Sequence, residues 1–143
     1  MTRLAFALLV AIAFCAHAAP PHGVDLPMAD WKAIRQVIDE QLVALKAGDG
    51  RKAMTYAVPD LRAQFGTPQD FLWMVRHAYH ALLDARSSTY LQGAVVDGAP
   101  IQPLQLVLPD NTVVVALYEM RRQKDGRWRI AGCVIASSKA QAI

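Results

Sequence analysis

Six side chains in this 143-residue chain have the type and setting to meet a small molecule: Gln41, Tyr56, Tyr79, Gln105, Tyr118 and Glu119. Each tyrosine places a hydroxyl at the end of an apolar body. Gln41 falls at the edge of an apolar helical arc, between Val37 and Leu45, where a buried amide needs partners. Gln105 and Glu119 interrupt stretches otherwise dominated by aliphatic residues. Around a small apolar cavity, tyrosines and a glutamine would suit a small, mostly neutral ligand. A tyrosine beside a carboxylate such as Glu119 would instead suit proton transfer, as in a pocket enzyme of the isomerase or cyclase kind. The commoner use of such tyrosines is as core aromatics whose hydroxyls reach backbone or water, and that use needs no ligand. No residue is assigned a catalytic role.

A second group lies on one predicted helix. Trp73 falls on its polar arc, flanked by Asp70, Arg76, His77, His80 and Asp84. Two expectations follow: either a neighbouring segment covers Trp73, or Trp73, His77 and His80 form a partner or homodimer surface, since tryptophan among charged residues is typical of an interface. His77, His80 and Asp84 stand at i, i+3 and i+7, but a metal site normally draws a further ligand from elsewhere. A solvated helix face is the expectation, with no metal and no cofactor. Cys133 lies in the apolar run Ile130–Ile135 and reads as a buried, inert thiol. Arg121, Arg122, Lys124, Arg127 and Arg129 surround the Asp125-Gly126 turn; they could hold an anion, or simply keep strand ends soluble.

The elements that must position these groups follow from periodicity. Pro20, Pro21, Gly23 and Pro27 mark an extended lead-in over residues 19–29. Asp30 is the expected N-cap of a helix to about Ala47, with Trp31, Ile34, Val37, Ile38, Leu42 and Leu45 on its apolar arc and Arg35 and Asp39 on the opposite one. Gly48 ends it. Asp49 caps a shorter helix through Ala57, and Pro59–Phe65 allows one more helical turn. Thr67-Pro68-Gln69-Asp70 supplies cap, N1 proline and capping-box acid for a long helix to about Ala85. Strands are expected over Ser88–Val96, Ile101–Leu108, Thr112–Arg121 and Trp128–Ala136. The third is apolar at both parities and reads as a central strand covered on both faces. Pro103 implies that its strand starts late or lies at an edge.

The chain begins with the three-part form of an export signal: Arg3, an apolar run from Leu4 to Ala16, and the small-x-small triplet Ala16-His17-Ala18. The run is shorter than the ~20 residues that span a membrane. Cleavage after Ala18 would yield a periplasmic or secreted protein without a stable membrane anchor; Phe14 before Cys15 departs from the lipoprotein pattern. One domain is then expected over 30–137, with a tail at 138–143. Loss of Arg3 lowers the formal charge from +3 to +2, too balanced to indicate a nucleic-acid partner. Only Cys133 would remain, so no internal disulfide could staple the domain.

Helices followed by antiparallel strands give an α+β architecture. The order of elements, with Ala47-Gly48-Asp49 and Ala53 at the first junction, resembles the NTF2-like (cystatin-like) superfamily. That resemblance implies a cone, with N-terminal helices on a curved antiparallel sheet of about four strands and a pocket between them. More narrowly, Gln41–Leu45, Phe71–Arg76 and Asp125–Cys133 resemble an exported proteobacterial family of unknown function. The resemblance covers Trp31 to about Ala136 and carries over no catalytic set.

Overall fold

A computed structural model describes residues 25–137. The expected export leader, most of the lead-in and the C-terminal tail lie outside the described residues. Five helices come first: α1 (Met28–Lys46), α2 (Gly50–Met54), α3 (Pro59–Phe65), α4 (Pro68–Ala78) and α5 (Ala81–Asp84). Five strands follow: β1 (Ser87–Tyr90), β2 (Ala94–Val96), β3 (Ala99–Val107), β4 (Val113–Arg122) and β5 (Trp128–Ser137). All pair antiparallel in the order β1-β3-β4-β5, with β2 also on β3. The protein is therefore an α+β fold, its helices packed against an open five-stranded antiparallel sheet.

The helix boundaries show which local signals decide. α1 starts two residues before Asp30, after Pro27, so Asp30 sits in its first turn and does not cap it. Its carboxylate instead accepts from Trp128 Nε1 (3.2 Å) and Arg122 Nη2 (2.9 Å), tying α1 to the end of β4 and the start of β5. At the other end Gly48, at φ 71°, lets Asp49 N–H reach Ala44 O (2.9 Å) and Gly48 N–H reach Leu45 O (3.0 Å). These two bonds satisfy carbonyls that the helix end leaves open. Asp49 then caps α2 through Lys52 N–H at 2.9 Å. Thr67 and Asp70 form the reciprocal capping box of α4.

The long helix expected to reach Ala85 breaks at Tyr79, whose backbone (φ −128°, ψ 27°) leaves the helical region. No proline or glycine forces this. The break lets one segment serve two packing clusters: Phe71 and Val75 bury against Ala44, Leu45 and Ala53, whereas Ala81 and Leu82 bury against Ile34, Ile38 and the sheet. Tyr79 touches both clusters.

The sheet departs from expectation in three ways. The first predicted strand is two, split at Leu91–Gly93, where Gly93 lies so close to the Trp31 ring that a Cβ would come within 2.4 Å of it. β4 is central in the sheet, but only one of its faces meets the helices. Val114, Ala116, Tyr118 and Met120 are buried there, whereas Val113, Val115 and Leu117 stay half-buried and Glu119 is exposed. Finally, Pro103 lies in the middle of β3, paired with Leu117 of β4 on one side and facing the gap between β1 and β2 on the other.

Pro103 is tolerated because its missing donor is replaced. Its carbonyl accepts from Leu91 N–H (3.1 Å), so its nitrogen faces the same edge, at the gap between β1 and β2. The Leu91 carbonyl, which a backbone N–H at position 103 would have served, accepts from Gln102 Nε2 (2.8 Å). The neighbouring side chain thus takes over the ladder bond that proline cannot make.

Candidate functional site

A register shift between Glu119 and Met120 decides which β5 residues face inwards. Before it Trp128 and Ile130 point to the helices; after it Cys133 and Ile135 do, and Val134 turns out to 62% exposure. Such a bulge reverses strand parity and bends the sheet. Gln102, Tyr118 and Cys133 consequently lie side by side across β3, β4 and β5 on the inner face. They form a polar row through a face otherwise built from Leu104, Leu106, Ala116, Met120 and Ile130.

One end of this row is closed by hydrogen bonds. Gln102, fully buried, donates from Nε2 to Leu91 O and Pro103 O (2.8 and 2.9 Å) and accepts at Oε1 from Arg35 Nε (3.1 Å). Arg35 lies over the Tyr90 ring (5.4 Å), and the Tyr90 hydroxyl donates to Asp39 Oδ1 at 2.7 Å. Burial, reinforced by that bond to Asp39, pushes the Tyr90 phenol well above its ordinary range. Arg35 and Asp39, assigned from the wheel to the solvent arc, are thus part of the join between α1 and the sheet edge.

The other end opens on a cavity of about 170 Å³ between helices and sheet. Gln41 and Leu45 of α1 form one wall, Leu61 and Phe65 of α3 with Phe71, Met74 and Val75 of α4 another, and Tyr118, Ile130 and Cys133 the floor. Phe65 and Phe71 stack at 4.4 Å. The segment Tyr56–Val58 pairs with the free edge of β5, through Ile130 N–H to Tyr56 O (2.8 Å) and Val58 N–H to Ile130 O (2.9 Å), and sets Ala57 at the cavity. None of the lining residues is Asp, Glu, His, Lys or Arg.

Three of the six ligand candidates therefore meet: Gln41, Tyr79 and Tyr118 all line the cavity. The Gln41 amide donates to Ala53 O (3.2 Å), while among the described residues nothing donates to its carbonyl oxygen. Tyr118, 1% exposed, has a hydroxyl with no hydrogen-bond partner among the described residues. Burial, and then the adjacent Cys133, push its phenol far up; burial raises the Cys133 thiol to about 12. Both groups are neutral at physiological pH, so the thiol is no nucleophile.

The other three candidates lie elsewhere. Glu119 follows Tyr118 in β4 and so projects from the opposite face, at an open groove with Arg121 and Asp97. Gln105 is half-buried on that same outer face. Tyr56 is half-buried outside the cavity, where burial and then Glu40 raise its phenol. Strand alternation accounts for the first two: one residue of offset exchanges the faces. The residues missed from sequence are Cys133 on the floor and Gln102 behind it.

Trp73 is 62% exposed, so among the described residues no neighbouring segment covers it. It stacks on His77 (4.2 Å), whose Nδ1 lies 2.7 Å from Trp73 O. His80 belongs to the junction before α5, so the helix break separates it and Asp84 from the α4 face. Among the described residues no group of three or more His, Cys, Asp or Glu is placed to hold a metal ion. No described helix is long and apolar enough to cross a membrane.

An apolar cavity between a helical layer and an antiparallel sheet, with amide and phenol groups on its walls, defines an α+β domain with a small pocket between its layers. Residues 27–143 match the family described as a domain of unknown function, DUF4864, and the chain belongs to that family. Among curated proteins, none matches this sequence.

Proposed function

We propose that this is an exported, NTF2-like domain that binds a small, mostly apolar, uncharged molecule and does not transform it. The observation that carries the reading is the cavity, whose walls are apolar apart from amide, phenol and thiol groups. At about 170 Å³ it is smaller than the ~300 Å³ at which drug-sized pockets begin. It is comparable to the ~150 Å³ engineered cavity that takes up benzene, so the occupant is of single-ring size. Proton transfer would need a base at the phenol, and the nearest sequence candidate, Glu119, faces the other way. The helical layer lying on one side of a bulged sheet supports the NTF2-like comparison, and Arg3 to Ala18 support export.

Two measurements test this. Titration of the purified protein with toluene, followed by methyl and aromatic NMR, should shift and saturate signals of Tyr118, Tyr79 and Val75; no saturable shift would overturn the binding reading. Protein recovered from its native envelope should begin at Ala19, and an intact Met1 start would remove the export reading. A second reading, a homodimer through Trp73, His77 and His80, is favoured by the exposure of Trp73 alone.

A further inference from the structure

The polar row across the sheet specifies more than the size of an occupant. Tyr118 O–H and Cys133 S–H are neighbours in register on the cavity floor, and both keep their protons. A buried hydroxyl without a partner forfeits its hydration with nothing in return, a cost of about 1–3 kcal/mol. Elsewhere in the same row that cost is avoided, since Gln102 uses both ends of its amide. Tyr118 lines the cavity together with Gln41, Val75 and Tyr79, its hydroxyl buried without a partner among the described residues, and no cation lines that space to balance a negative charge. A ligand's carboxylate or phosphate would therefore be buried uncompensated. A carbonyl oxygen is neutral and presents two lone pairs in the plane of its substituents, enough to accept from a phenol and a thiol together.

We propose that the cavity takes a neutral, single-ring carbonyl compound, its oxygen held by the Tyr118 hydroxyl with Cys133 S–H as the weaker second donor. The assignment rests on the binding reading above and gives it a polar end. Tyr118 acts here as a binding residue, and no bond is made or broken.

Cyclohexanone and methylenecyclohexane test it as probes, because they share shape and ring and differ in a carbonyl oxygen against a methylene carbon. The ratio of their affinities is measured by NMR titration on wild-type protein and on Tyr118→Phe. Loss of one neutral hydrogen bond should weaken cyclohexanone by about three- to ten-fold while leaving methylenecyclohexane unchanged or tighter. In parallel, the carbonyl-¹³C resonance of labelled cyclohexanone bound to wild-type protein should move towards its value in a hydrogen-bonding solvent. This arm needs no variant and decides the matter if Tyr118→Phe fails to fold. If neither probe binds wild-type protein, the cavity reading falls and takes the carbonyl assignment with it. If both bind but Tyr118→Phe treats them alike, or the carbonyl resonance matches that in hydrocarbon, the hydroxyl serves solvent; the assignment is then overturned while the binding reading stands.

Discussion

Gln102 and Tyr118 are direct partners in register, one on β3 and one on β4, and solvent reaches almost none of either. Their hydrogen-bond accounts differ completely. Among the described residues Gln102 makes three bonds, to Leu91, Pro103 and Arg35, whereas the Tyr118 hydroxyl makes none. The contrast teaches that burial of a polar group does not by itself separate architecture from site; its partners do. Gln102 is where it is because proline at 103 leaves a carbonyl without a donor. Tyr118 lines the cavity between helices and sheet, and among the described residues nothing accepts its proton.

The largest effect should come from breaking the satisfied member. Gln102→Leu removes the donor to Leu91 O and strands Arg35 Nε beside an apolar group, so unfolding free energy in urea should fall by about 2–3 kcal/mol. The proline then offers a sharper test. Adding Pro103→Val to Gln102→Leu restores a backbone N–H facing the Leu91 carbonyl, and the double variant should recover about 1 kcal/mol relative to Gln102→Leu alone. The same valine in the wild-type background has no open acceptor to serve. If the two changes prove additive, Gln102 is not standing in for the missing backbone donor.

A smaller effect of opposite sign is expected from the unsatisfied member. Without added ligand, Tyr118→Phe removes a hydroxyl that has no protein partner and leaves the ring in place. Stability should stay level or rise by up to about 1 kcal/mol, read as the urea midpoint at constant slope. A fall of 1 kcal/mol or more would mean that the hydroxyl already holds a good bond in the native state, and the contrast with Gln102 would collapse.

The part of this arrangement that local chemistry dictates was readable before any coordinates. Thr67 with Asp70, Asp49 before α2 and Gly48 after α1 each act within a turn of their own position, and each performs the role its type implies. The α+β order follows from the same short-range signals. The site was only half legible, because cavity walls are set by parity and parity is set by a bulge. Nothing in Glu119-Met120 announces the shift that turns Cys133 inwards, so Gln41, Tyr79 and Tyr118 could be picked as polar groups among apolar ones while Cys133 could not be placed. Gln102 was hidden by its neighbour: Pro103 argued for an edge or a late start, and the bond that makes an interior proline tolerable comes from a side chain. The break at Tyr79 was equally silent, since it answers to two packing clusters and to no residue that disfavours helix.

Trp73 provides the remaining point of comparison, a large apolar group left in water where Gln102 and Tyr118 are polar groups taken out of it. With 62% of its surface exposed and its main support a stack on His77, it contributes little burial to lose. Trp73→Ser should therefore alter unfolding free energy by no more than about 0.5 kcal/mol, the smallest change in the series. Sedimentation equilibrium of the same variant separates the two roles that exposure permits. If the wild-type protein is monomeric across the micromolar range and the serine variant behaves identically, Trp73 is a solvated helix residue and the homodimer reading ends there. If the wild-type protein associates and the variant does not, at equal monomer stability, the exposed indole is the contact, because loss of folding could not account for the difference.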